Sequence, residues 1–415
     1  MQKYLLPLFA LGVLANIGSA QATDISVKGL IDIRAYHVDS DAESDSYLKG
    51  DYGKFRYDNG NGLALGQLGL QGHIDWENNW SLTLVSNAFA DRGNNAIGFT
   101  EAYFSYKGLP SEQGWRLKSK LGVFYPQVSI ENVATAWSTP YTLTSSSINN
   151  WIGEELRNTG VLLSVEKLGK FSQSDHSWSI DVSAFQNNDP AGAMLAWHGW
   201  TIGSRQTLLH EKLKVQYFPA RRGELAVQAA ESDPFRELDD RWGIHLSGTY
   251  KFKQNLRISA GYYDNHAQEG IVKRGQYTWT TEFTHLALKY KFAKQWELMA
   301  QHMAGSTYMT SPQGNAVVNN DYDNTFVMLR HFWSSHHLAL RVEHFSVDDL
   351  DTTWGDNNVE EGDAISAAYR YQLSRKSFFL AEYNWIDSQR PARLYVNQPE
   401  SLIERQLQFG YRYYF

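Results

Sequence analysis

The residues best placed to act on a solute are charged groups at every second position of short alternating segments. Lys28, Arg34, Lys118, Lys120, Lys251, Arg257, Lys289, Arg341, Arg370 and Arg412 fall on polar parities of such segments. Asp32, Asp181, Glu297, Glu343, Glu382 and Glu404 oppose them. Alternate side chains of a strand share one face, so these groups would meet on a common wet surface. The chemistry they offer is electrostatic selection of ions. Their slight basic excess predicts a mild anion preference, although the whole chain carries a formal charge of -7. Arg341 and Glu343 share one strand face and could equally pair with neighbours to stiffen a wall.

A second set lies in the polar stretch 129–155, which carries Trp137, Tyr141, Ser145, Ser146, Ser147, Asn149, Asn150 and Glu154. Hydroxyls, amides and a few rings suit a neutral or sugar-like solute better than a bare ion. Covalent catalysis has less footing. The chain has no Gly-x-Ser-x-Gly elbow, no His-Glu-x-x-His and no phosphate-binding loop. A Ser-His-Asp set gathered from separate strands stays open, because triads are defined by geometry. The acidic run 348–351 with Asp356, Glu360 and Glu361 lacks the glycine and terminal glutamate spacing of a calcium loop. His336 and His337 fall in a predicted tight turn. No cofactor, metal site or catalytic residue is predicted. Without a basic patch interleaved with aromatics, nucleic acid is not an expected partner.

The elements that would hold these groups are strands. At the C-terminus Leu407, Phe409, Tyr411, Tyr413 and Phe415 alternate with Gln406, Gln408, Gly410 and Arg412. That two-residue period has one oily face and one wet face. It recurs from Ile25, Leu256, Leu338 and Ile365. Short turns flanked by rings, such as Trp76-Glu77-Asn78-Asn79-Trp80, alternate with long polar stretches at 40–61, 129–155, 188–202, 232–241, 309–321 and 348–363. A soluble sandwich has no reason to keep that asymmetry, whereas a membrane barrel with short periplasmic turns and long extracellular loops does. Counting strands on this rule gives about eighteen, with sixteen as the alternative. The weakest starts at Leu225, and another of the eighteen starts near Arg205.

Composition agrees with an exported barrel. Lys3, an apolar run at 4–17 and Ser19-Ala20-Gln21-Ala22 predict a signal peptide over 1–22, leaving one barrel domain over 23–415. Aromatics make up 14% of the chain while mean hydropathy stays negative. There is no cysteine, so stability would have to come from a closed hydrogen-bonded wall.

With these features the mature chain resembles the porin-type channels of Gram-negative outer membranes. The stretch Trp151-Ile152-Gly153-Glu154-Glu155-Leu156-Arg157-Asn158-Thr159-Gly160 is similar to a segment of poorly characterised proteobacterial porins. The final strand with terminal Phe415 resembles the signal by which such barrels are recognised for assembly. The resemblance implies an outer-membrane location, passive diffusion of small hydrophilic solutes, and contact with lipid, lipopolysaccharide and the barrel assembly machinery. It also implies a homotrimer and an inward-folding loop over 129–155. Expected lumen or constriction residues are Lys118, Lys120, Trp137, Tyr141, Asn149, Asn150, Glu154, Arg257, Arg341, Glu343, Arg370 and Arg412. A barrel enzyme of lipase or protease type and a structural or adhesive barrel are the alternatives. A plugged importer would need an N-terminal plug domain, for which the first strand leaves no room.

Overall fold

The computed structural model describes residues 22–42, 44–91 and 95–415. Apart from Ala22, the expected signal peptide lies outside the described residues. Sixteen antiparallel strands close into one barrel. They are Ala22–Ser40 (β1), Gly60–Trp76 (β2), Trp80–Ala90 (β3), Ala96–Lys107 (β4), Trp115–Phe124 (β5), Asn158–Lys167 (β6), His176–Gln186 (β7) and Gly243–Phe252 (β8). The second half comprises Leu256–Asp264 (β9), Thr280–Ala293 (β10), Trp296–Thr310 (β11), Ala316–Trp333 (β12), His336–Asp349 (β13), Glu360–Gln372 (β14), Ser377–Gln389 (β15) and Ser401–Tyr414 (β16). Each strand pairs with its sequence neighbours, and β1 closes on β16 from Leu30 opposite Tyr414 to Ser40 opposite Glu404. Closure leaves no unpaired edge, the condition for backbone groups surrounded by lipid.

The count is the lower of the two expected. The two segments read as strands near Arg205 and Leu225 lie in the loop 187–242 and do not join the wall. Their apolar residues serve a different purpose. Leu213, Val215, Phe218 and Leu225 pack with Trp197, Trp279, Met309 and Val318 into a core beneath the outer loops.

The period-two pattern sorts side chains as the residues require. On β16, Gln406, Gln408 and Arg412 are buried inward, while Leu407, Phe409 and Tyr411 are exposed on the outside. Leu63, Ile97 and Ile25 are further large apolar groups on the outer face. Rings gather at the short turns: Trp80 against Tyr106 at 5.4 Å between centroids, and Trp115 edge-on to Trp178 at 5.1 Å. Asn79, Lys253 and Ser334 turn those corners with positive φ, as tight hairpins demand. Phe415 extends the ladder by exchanging backbone hydrogen bonds with Gly29 at 3.0 and 3.1 Å. A Cβ on Gly29 would fall 2.0 Å from the Phe415 ring, so the terminal aromatic is seated by the absence of a side chain.

Four outer connections, 41–59, 125–157, 187–242 and 265–279, send buried residues back among the strands. They carry two short helices, Ser147–Glu155 (α1) and Ala193–His198 (α2), every residue of which is buried. A helix reading Ser-Ile-Asn-Asn-Trp-Ile-Gly-Glu-Glu can be buried on all sides only where polar partners surround it. The inner wall of the barrel supplies them.

Candidate pore lining and loop layer

Each of the sixteen strands contributes an inward side chain with 2% exposure or less, among them Asp32, Gln67, Asn87, Ser183, Gln301, Asn324, Arg341 and Gln408. Loops cover these groups. The stretch 129–155 is the main cover, and its bonds to the wall are charge-assisted. Arg341 on β13 donates to Glu343 at 2.6 Å, to Glu131 at 2.8 Å and to the Thr144 carbonyl at 3.0 Å. Glu343 accepts from the Ser147 backbone N–H at 2.8 Å and its hydroxyl at 2.6 Å. Glu382 on β15 accepts from the Leu143 and Thr144 backbone N–H groups. Arg412 donates to Asp32 at 2.6 Å and to the Thr139 carbonyl at 2.6 Å. Arg34 shares Asp32 at 2.8 Å. Ion pairs taken out of water hold only when their remaining donors and acceptors are met as well, and here backbone groups of the loop meet them.

α1 extends the same layer. Asn149 donates to Glu131, Ser146 and Gln301. Asn150 reaches the Tyr47 hydroxyl and Thr201. Glu154 faces His198 at 3.1 Å. Glu155 accepts from the Trp151 indole at 2.7 Å and from the Met194 backbone N–H at 3.0 Å, which ties α1 to the start of α2. Burial, with the neighbouring Glu154 charge, pushes the Glu155 carboxyl up to about 7. Trp137 stacks on Tyr125 with centroids 4.0 Å apart. Lys54 of the first loop pairs with Glu360, which also faces Arg390 at 3.6 Å. The sequence does not single out Lys54, Glu131 or Arg390, and it offers Glu360 only as part of an acidic outer run.

Toward the short-turn end the wall changes character. Arg116 and Lys118 on β5, Arg257 on β9, Lys289 on β10, Arg330 on β12 and Arg370 on β14 are inward and partly exposed, and Lys251 on β8 is exposed. Glu166, Asp181 and Glu297 lie among them, with Glu101 on β4 beside Lys120 and Asp75 on the inward face of β2. Lys118 and Arg116 share Glu166, and Lys289 and Arg330 share Glu297. Lys251 and Arg257 sit directly opposite each other across β8 and β9 and, among the described residues, make no ion pair of 4.0 Å or less. Lys120 lies over the Tyr103 ring at 4.4 Å. Tyr141 hangs at the junction: its hydroxyl accepts from Lys289 at 2.7 Å, and the Arg330 guanidinium sits 3.9 Å from its ring centre. Arg370 donates to the Pro140 carbonyl at 2.8 Å.

The predicted residues therefore divide. Trp137, Asn149, Asn150, Glu154, Arg341, Glu343 and Arg412 belong to the loop layer, while Lys118, Lys120, Arg257 and Arg370 face the vestibule below it, with Tyr141 between. Above the layer, Asp189, Glu237 and Asp239 bring carboxylate oxygens within 4.8 Å of one another. Backbone N–H groups of Leu238, Asn187 and Asp239 already engage Asp189 and Glu237. Burial, reinforced by Glu237, pushes Asp189 up to about 8.

No family model matches the chain, and no curated protein does. Solved structures do. The outer membrane channel DcaP of Acinetobacter baumannii is 9% identical with a TM-score of 0.53, covering 94% of this chain and 97% of that one. An anion-selective porin from Comamonas acidovorans is 12% identical with a TM-score of 0.51, over 94% and 99% of the two chains. The trimer form of in-vitro folded OmpT, an outer membrane protein of Vibrio cholerae, is 8% identical with a TM-score of 0.50, over 95% and 100%. At such identities the likeness is one of fold. The chain has the porin-type outer-membrane barrel fold.

Proposed function

We propose that this chain is an outer-membrane channel for small hydrophilic solutes, preferring anions, with no catalytic step. The carrying observation is the vestibule. The inward cations, Lys120 included, outnumber the acids there, and among the described residues Lys251 and Arg257 make no ion pair of 4.0 Å or less. Uncompensated wall charge in a confined aqueous lumen raises the local concentration of the opposite ion. The oily outer face suits lipid. The likeness to an anion-selective porin and to a trimeric form supports the same preference and a trimeric assembly. The loop layer then limits the size of what crosses, and its hydroxyls and amides can exchange hydrogen bonds with a passing solute.

Liposome swelling and planar-bilayer recording on the refolded full chain test this reading. Swelling with small neutral sugars and discrete conductance steps are expected. A folded, heat-modifiable barrel that gives neither would overturn the channel and favour an enzyme or an adhesive barrel.

A further inference from the structure

Three outer loops frame a second basic site, on the opposite side of the loop layer from the vestibule. A cleft of about 450 Å³ is lined by Lys49, Lys212, Lys214, Arg221, Arg236 and Arg274, with Glu231 as the acid among them. Lys49 is partnered by Asp58 at 2.5 Å and Asp45 at 3.7 Å, and Arg236 by Asp233 at 2.9 Å. Among the described residues, Lys212, Lys214, Arg221 and Arg274 make no ion pair of 4.0 Å or less. Glu231, Asp233, Asp58 and Asp45 against these six cations leave a local surplus of two positive charges in a chain that is acidic overall.

The cleft is built, not an accident of long side chains. Lys214 lies opposite Glu231 in a two-residue ladder. The buried Gln276 side chain donates to the Glu231 carbonyl at 2.7 Å and accepts from the Asp233 backbone N–H at 2.8 Å. The Ala229 backbone N–H donates to the Gly275 carbonyl at 2.9 Å. Arg274 stands at the tip of the hairpin joining Val272–Lys273 to Gln276–Tyr277, with φ +56°. That left-handed position favours Gly or Asn, and an arginine there costs strain while projecting its charge. Lys49 follows Tyr47 by two residues, and the Tyr47 hydroxyl accepts from Asn150 of α1. The floor of the cleft thus rests on the layer that covers the lumen.

We propose that this cleft binds a small polyanion bearing two or more phosphate or carboxylate groups, held outside the loop layer. A single monoanion would leave most of the cations unmatched. The volume falls within the range of small-molecule sites. No aromatic ring lines it, so an anionic group and not a stacked base is what it selects. Clustered phosphates come either from a free solute or from lipopolysaccharide, and the test separates the two.

Tripolyphosphate is titrated by calorimetry into the full-length barrel in lipopolysaccharide-free detergent, and purified lipopolysaccharide is titrated in parallel. The comparison variant carries Lys212→Gln, Lys214→Gln, Arg221→Gln and Arg274→Gln. A control carries Lys170→Gln, Lys294→Gln, Arg375→Gln and Lys376→Gln at the short-turn end. Saturable tripolyphosphate binding that weakens about tenfold or more in the first variant alone, and falls with added salt, supports a free-solute site. Loss confined to lipopolysaccharide binding assigns the cleft to the lipid phosphates. Equal affinity of wild type and variant for both probes, or equal loss in the control, overturns the site. Heat-modifiability verifies that each variant is folded. The readout needs no conductance, so its failure and that of the channel reading are distinguishable.

Discussion

Two levels of one barrel wall treat charge in opposite ways. In the loop layer, Arg341, Arg412 and Arg34 are buried and fully engaged by Glu131, Glu343, Asp32 and loop carbonyls. In the vestibule, Lys251 and Arg257 face each other without a carboxylate between them. Both sets sit on the same inward parity of similar strands, so the wall does not distinguish them. The loops do. Where a loop folds in, charge becomes structure, and where none reaches, charge stays available to solutes.

The largest effect is expected from breaking the layer. Arg341→Leu leaves Glu131 and Glu343 buried without their cation, a change that costs about 3–5 kcal/mol where such pairs have been broken. A loop under that penalty should detach from the wall. Single-channel conductance should rise, and backbone amides around Ser146 and Ser147 should lose protection from hydrogen exchange. Adding Glu131→Gln and Glu343→Gln should restore much of that protection. An unchanged conductance and exchange pattern would show that the pairs do not hold the loop.

The vestibule should answer differently. The triple change Lys251→Gln, Arg257→Gln and Lys289→Gln should move the reversal potential toward cations. Unfolding in urea should shift by about 1 kcal/mol or less, since partly exposed charges contribute little to stability. Should stability fall as far as in Arg341→Leu, the contrast between the two levels would collapse.

A further effect is expected from pH. Burial and then Glu237 push the Asp189 pKa from 3.8 up to about 8, so the folded loop holds its proton at neutral pH. The unfolded chain releases that proton near its ordinary value, so the contribution is complete below about 4. It is lost progressively as pH rises toward about 8. Protection of the 187–242 loop from proteolysis should decline over that window, and Asp189→Asn should flatten the decline. The smallest change is Lys120→Gln, which removes a cation from the Tyr103 face. It should cost about 0.5–1 kcal/mol of stability, read by urea unfolding.

The strand parity was legible because a period of two survives in any window of eight residues, as in β16. Ring-flanked turns such as Trp76–Trp80 were legible for the same local reason. The excess of two strands arose where loop residues are apolar for loop reasons: Leu213, Val215 and Leu225 imitate a strand while packing a core under the outer loops. The pairings of the layer were hidden for another cause. Arg341 and Glu131 are 210 residues apart, and Lys54 and Glu360 are 306 apart. No spacing in a sequence reports a contact of that kind. Arg341 and Glu343 could be nominated from parity, but not the loop acid that completes their network.

The reversal potential of the wild-type barrel in a planar bilayer under a KCl gradient tests the division of charge most directly. A potential on the chloride side, lost in the Lys251, Arg257 and Lys289 variant, is the predicted result. Cation preference in the wild type would contradict it, because the vestibule cations would then not govern what passes.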